Sequence, residues 1–180
     1  MTPFHYRSTG LRLAAMAALF FLSACAGSVA PPDVIQSIQK TTNFEQYSKL
    51  TVVAEAAPGV PIVEEAKSRI IGLVRQEVSK KYPKYFSADT GNSSTLKLNM
   101  LFKSYDEGNA FARAMLAGLG QIHIDADVTL TDDVTNQTIG KFKVSKQFAF
   151  GGIVGAATDI KDVEAGFATS VAEVFGKTVE

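Results

Sequence analysis

The sequence predicts an α+β fold: a two-layer sandwich with two main helices on one face of a sheet of about four strands, in β-α-β-β-β-α order. Three observations predict it. Apolar and polar residues alternate over 96–102 and 121–131, the period of a half-buried strand. Apolar residues recur at steps of three and four over 62–78 and 160–174, the period of an amphipathic helix. Each of these segments has one apolar face, and helices laid on one side of a single sheet bury all of them.

The elements follow in chain order. Residues 34–49, VIQSIQKTTNFEQYSK, hold Val34, Ile35 and Ile38 without a long period and read as a helical turn or irregular packing. Leu50–Ala54 is apolar, partly β-branched and followed by Pro58, Gly59 and Pro61, which predicts a buried strand. Ile62, Ala66, Ile70, Val74 and Val78 form one stripe. Glu64, Glu65, Lys67, Arg69, Arg75, Gln76 and Lys80 occupy the other side, so a helix runs from Pro61 to just before Pro83. Leu96, Leu98, Met100 and Phe102 mark the second strand, and Ala110–Ala117 suits a short helix ended at Gly118. In the third strand Ile122, Ile124, Ala126, Val128 and Leu130 face one way, and His123, Asp125, Asp127 and Thr129 the other.

The turn DDVTNQT is short enough to make the next strand an antiparallel hairpin partner. There Phe142, Val144 and Phe148 alternate with Lys141, Lys143, Ser145 and Lys146. GGIVGAATD, residues 151–159, reads as a glycine-rich loop, with Thr158 or Asp159 capping the last helix. Ile160, Val163, Phe167, Val171 and Val174 form that helix's apolar stripe.

The 180 residues are 46% hydrophobic, enough for one domain of ordinary size. Eighteen basic residues balance eighteen acidic ones, and no basic excess points to nucleic acid. The first 24 residues stand apart. Arg7 and Arg12 precede LAAMAALFFL, residues 13–22, which has no polar side chain. A positive start before a short apolar run is a secretory signal, since a membrane-crossing helix needs about 20 apolar residues. Removing the signal takes two of the 18 basic residues and none of the 18 acidic ones, leaving a formal charge of −2. The expected organisation is a signal peptide over 1–24, a lipidated N-terminus and tether over 25–44 (with the small, proline-bearing AGSVAPPD), and one α+β domain over 45–180.

Leu22-Ser23-Ala24-Cys25 resembles the lipobox of bacterial lipoproteins. The resemblance implies cleavage before Cys25, a diacylglycerol on its thiol and, usually, an acylated amino group. Ala26 rather than Asp after the cysteine implies the outer membrane, on its periplasmic face. One cysteine forbids a disulfide within the chain. A catalytic thiol would need a base, and of the two histidines His5 leaves with the signal while His123 lies far along the chain. The segment GNAFARAMLAGLGQIHIDADVTLTD, followed by a strand, GGIVGAA and a terminal helix, resembles a family of envelope lipoproteins of unknown function. That resemblance covers about residues 45–177 and transfers no functional residues.

Little else points to chemistry. His123, Asp125 and Asp127 share a strand face and are the candidates for a metal. The alternative is a wet sheet face on which Lys141, Lys143 and Lys146 pair with the aspartates. GGIVGAA has no lysine at P-loop spacing and no GxGxxG fingerprint, and neither GxSxG nor HExxH occurs. No cofactor is implied, and no enzyme activity is expected. Met115, Leu116, Leu119, Ile153 and Val154 lie in two small, apolar, charge-poor stretches. If these adjoin, they form an exposed patch suited to a partner or a second membrane contact. The expected function is that of an outer-membrane lipoprotein, a non-enzymatic accessory or assembly factor acting on an envelope protein partner. The alternative is a periplasmic binding domain for a small or lipidic ligand, in a cavity lined by Phe102, Phe142 and Phe167.

Overall fold

A computed structural model describes residues 31–86, 94–116, 119–149 and 152–178. The strands are β1 (Asp33–Gln36), β2 (Lys49–Ala56), β3 (Thr95–Asp106), β4 (Ile122–Asp132) and β5 (Thr138–Phe148). The helices are α1 (Glu64–Lys81), α2 (Ala110–Met115), α3 (Gly152–Ala157) and α4 (Ile160–Glu173). The fold is α+β as expected, but the sheet has five strands, in the order β1-β5-β4-β3-β2. β2 and β3 are parallel, which requires a crossover, and α1 makes it. The other neighbours are antiparallel.

The extra strand is β1, at the sheet edge against β5. It corrects the expectation of a tether up to residue 44. Ile38 is fully buried and donates its amide to the Lys177 carbonyl at 3.0 Å, so the domain begins by residue 33 rather than 45. Phe44 and Tyr47 are buried too. The four residues of β1 are all exposed, so no apolar alternation marks them in the sequence. A second correction concerns residues 151–159. Residues 152–157 form a helix, not a loop, because packing against α2 overrides the weak propensity of two glycines.

The apolar stripes do what their periods dictate. Ala66, Ile70, Val74 and Val78 of α1 are buried, as are Ile160, Val163, Phe167, Ala168 and Val171 of α4. Acidic Glu64 and Glu65 open α1, and basic Lys80 and Lys81 close it, matching the helix dipole. Asp159, not Thr158, caps α4, in a reciprocal capping box with Asp162. Phe102, Phe142 and Phe167 are fully buried, and the rings of Phe102 and Phe167 lie 5.6 Å apart. They fill the core rather than line a cavity.

One polar cluster lies inside this apolar packing. The carboxylate of Glu164, on α4, is fully buried. Arg69 of α1 donates to both its oxygens, Nε to Oε2 and Nη2 to Oε1, each at 2.8 Å. The Tyr105 hydroxyl of β3 donates to Oε1 at 2.7 Å. Strict alternation from Phe102 would send Ser104 inward. A register shift between Phe102 and Ser104 turns Tyr105 inward instead. Glu164 raises the Arg69 pKa through these bonds. Burial, then the bond to Glu164, raises that of Tyr105.

A second polar link closes the far end of the sheet. Asp132 accepts from the backbone amides of Val134 at 3.0 Å and Thr135 at 2.8 Å, and from the Tyr47 hydroxyl at 3.0 Å. These bonds, the Thr135 amide foremost, hold the carboxyl below its usual range. Burial, then the bond to Asp132, pushes Tyr47 up to about 12.

Two predictions follow from these links. Arg69→Ala leaves a charged carboxylate buried and unpaired, and a loss of about 3 kcal/mol is expected, the low end of the range because Arg69 is partly exposed. Glu164→Gln leaves a guanidinium that water can reach and is expected to cost less, about 1–2 kcal/mol. Urea unfolding of both variants checks the order, and the reverse order would contradict the clamp. The second prediction is pH dependence. The depressed Asp132 favours the folded state above its ordinary pKa near 3.8, and that contribution is lost as pH falls through its lower folded value. The raised Tyr47 favours the folded state below its ordinary value near 10, and that contribution is lost between pH 10 and about 12. Melting temperature should fall at both extremes, and Tyr47→Phe should flatten the alkaline fall.

Candidate functional site: an apolar end and a charged sheet face

Three strand ends meet at one end of the sheet, where Asp106 pairs with His123 and His123 with Gln147. The chain between β3 and β4 carries α2 there, and the chain after β5 carries α3. Asn109 caps α2, its side chain accepting from the Ala112 amide at 2.9 Å. Gly108 and Gly120 have φ of +65° and +68°, a region that favours glycine. A Cβ on Gly120 would sit 2.4 Å from the Asn109 carbonyl oxygen, and one on Gly108 would sit 2.4 Å from that of Gln121.

Arg113 fastens this end. It is buried, unlike most arginines, and donates to the carbonyls of Gly120 at 2.8 Å, Thr158 at 3.1 Å and Glu107 at 3.2 Å. Its charge thus satisfies carbonyls from both loops, and α2 and α3 adjoin.

The two short helices turn apolar side chains outward. Ile153 is 89% exposed, Phe111 75% and Met115 67%; Leu116 and Leu119 are exposed as well. The two stretches expected to form a patch therefore meet. The sequence reading missed Phe111, although its four-residue spacing to Met115 places both on one face of a helix. Val154 lies in α3, and its side chain falls outside the described residues, as does Cys25.

The open face of the sheet is charged. One row across it reads Glu55, Leu101, Asp127, Lys143, Asp33. His123, Asp125 and Asp127 share this face as expected, but they do not converge. The His123 ring contacts the Asp125 carboxylate, whereas Asp127 lies 3.5 Å from the Lys103 ammonium and faces Lys143. Among the described residues no three His, Cys, Asp or Glu side chains are grouped to hold a metal. A shallow depression of about 370 Å³ here is lined by Asp33, Lys103, Asp125, Asp127, Lys143 and Ser145. Lys146 corrects the expected row of outward lysines. It is buried on the inner face with Phe142 and Val144, against Gly166 of α4, and burial lowers its pKa. Among the described residues no helix is long and apolar enough to cross a membrane.

The fold and its exposed surfaces define a two-layer α+β domain with a five-stranded mixed sheet, one charged open face and one apolar helical end. The chain belongs to the family described as a domain of unknown function (DUF4410), whose model matches residues 61–152. No curated protein matches the sequence. The PelC dodecamer from Paraburkholderia phytofirmans is similar in fold in two crystal forms. One is 9% identical over 83% of this chain and 99% of that chain, with a TM-score of 0.52. The other is 9% identical over 82% and 98%, with a TM-score of 0.50. A lipoprotein candidate from Caulobacter crescentus is 15% identical over 72% of this chain and 84% of that chain, with a TM-score of 0.36. At these identities the likeness to PelC is one of fold, and the looser superposition adds nothing to it.

Gly120→Ala is expected to destabilise the protein by about 2 kcal/mol, since it adds a left-handed alanine and a backbone clash. Hydrogen exchange should quicken first in residues 107–121. An unchanged melting temperature would contradict the tight closure of this end.

Proposed function

We propose that this chain is a lipoprotein of the bacterial cell envelope, held by lipid on Cys25 at the periplasmic face of the outer membrane. It works there without catalysis, as an accessory or assembly factor acting through protein–protein contacts. The observation that carries the reading is Leu22-Ser23-Ala24-Cys25, set behind two arginines and the apolar run of residues 13–22. The small residues suit a peptidase cleft, and the cysteine supplies the sulfur for a thioether. Several acyl chains on one residue make attachment lasting, where a single chain binds only marginally.

The charged open face supports the contact role. Its alternating acids and lysines suit docking on a complementary polar surface, where charge sets specificity and approach rate. PelC, of the same fold, assembles as a dodecamer, and a second copy of this chain is a natural first partner to seek. The ligand-binding alternative loses its main support, because Phe102, Phe142 and Phe167 are packed in the core.

Cys25→Ala is expected to leave an unprocessed precursor that incorporates no labelled palmitate. Labelling that persists in this variant would overturn the anchor.

A further inference from the structure

We infer that the apolar end formed by α2 and α3 rests in the interface of the same bilayer that holds the lipid on Cys25. The inference deepens the anchor reading above and rests on it. Strand direction carries it first. β1 runs antiparallel to β5, with Asp33 opposite Lys143 and Gln36 opposite Lys141. The N-terminal end of β1 therefore points along β5 towards Phe148 and α3. Pro31 and Pro32 precede Asp33, and proline favours an extended backbone in itself and in the residue before it.

Chain length carries it next. Five residues of β5 separate Lys143 from Phe148, about 17 Å of strand. Eight residues separate Cys25 from Asp33 and span at most about 28 Å. The tether is thus long enough for the lipid to reach the plane of the α2–α3 end with a few residues to spare. A domain tied this closely meets the bilayer again at a high effective concentration, so a modest second contact suffices.

The patch itself suits a bilayer interface. Phe111, Met115, Leu116, Leu119 and Ile153 gather on one end, and such clusters on a soluble surface mark a contact site. The nearest arginine, Arg113, is buried against carbonyls, and the exposed acids nearby, Asp106, Glu107, Asp159 and Asp162, outnumber the exposed Lys161. The contact is therefore apolar insertion, not attraction to anionic headgroups. The opposite end is the turn of residues 133–137, where Val134 is the exposed apolar side chain.

The absence of tryptophan makes the test clean. Ile153→Trp changes a side chain that is 89% exposed, so the fold is undisturbed. The variant is made from the full chain in cells, purified from membranes and reconstituted into phosphatidylcholine vesicles with or without brominated acyl chains. Palmitate labelling of the same sample reads the anchor separately. Bromine is expected to quench the indole at position 153 several-fold, and its emission should shift to the blue. In Val134→Trp, at the far end, both should stay unchanged. Quenching at position 153 in a sample that carries palmitate supports the inference, and quenching in a sample without palmitate would contradict it, since no lipid on Cys25 then shares the bilayer. An unquenched indole at 153, as when another protein copy covers the patch, would overturn it, and so would equal quenching at both positions.

Discussion

The carboxylate of Glu164 is buried away from solvent, and the packing of the domain depends on how that charge is answered. Removing a carboxylate from water costs several kcal/mol, and only good geometry with saturated hydrogen bonds offsets it. Arg69 supplies two charge-assisted bonds and Tyr105 a third. These three residues come from α1, β3 and α4, so the charge is satisfied only when both helices lie in register on the sheet. Apolar stripes alone tolerate sliding, because burial is non-directional. The clamp is directional and selects one arrangement.

That arrangement fixes what the molecule presents. With both long helices on one face, the other face is left to a lattice of acids and lysines, among them Asp33, Lys143, Asp127 and Lys103. The end holding α2 and α3 is shaped by a second buried charge, Arg113, which draws carbonyls of separate loops onto one guanidinium. The protein thus uses two of its buried ionic side chains, Glu164 and Arg113, differently. One aligns the layers, and the other holds an apolar surface outward against its tendency to collapse.

Much of this was legible in the sequence. Strands β3 and β4, the β4–β5 hairpin and both long helices declare themselves by period, because each has one buried and one wet face. The features that escaped break those periods for a physical reason. β1 is held by ladder hydrogen bonds on an exposed edge, so its pattern carries no apolar alternation. α3 contains two glycines and exists through its contact with α2. Tyr105 faces inward because the β3 register shifts beside it. Glu164 sits four residues after Ile160, squarely on the apolar stripe of α4. That position was the available signal that its charge must be met inside. The patch of Met115, Leu116, Leu119 and Ile153 was readable as composition, but that its two halves touch is tertiary information.

We propose that the domain works at a membrane to which lipid on Cys25 fastens it. Intact-mass analysis of the protein extracted from bacterial membranes tests this most directly. The expected result is a chain that begins at Cys25, lacks residues 1–24 and carries the added mass of a diacylglycerol, with or without a further acyl group. A chain that retains Met1, or one cut elsewhere with an unmodified thiol at Cys25, would contradict it.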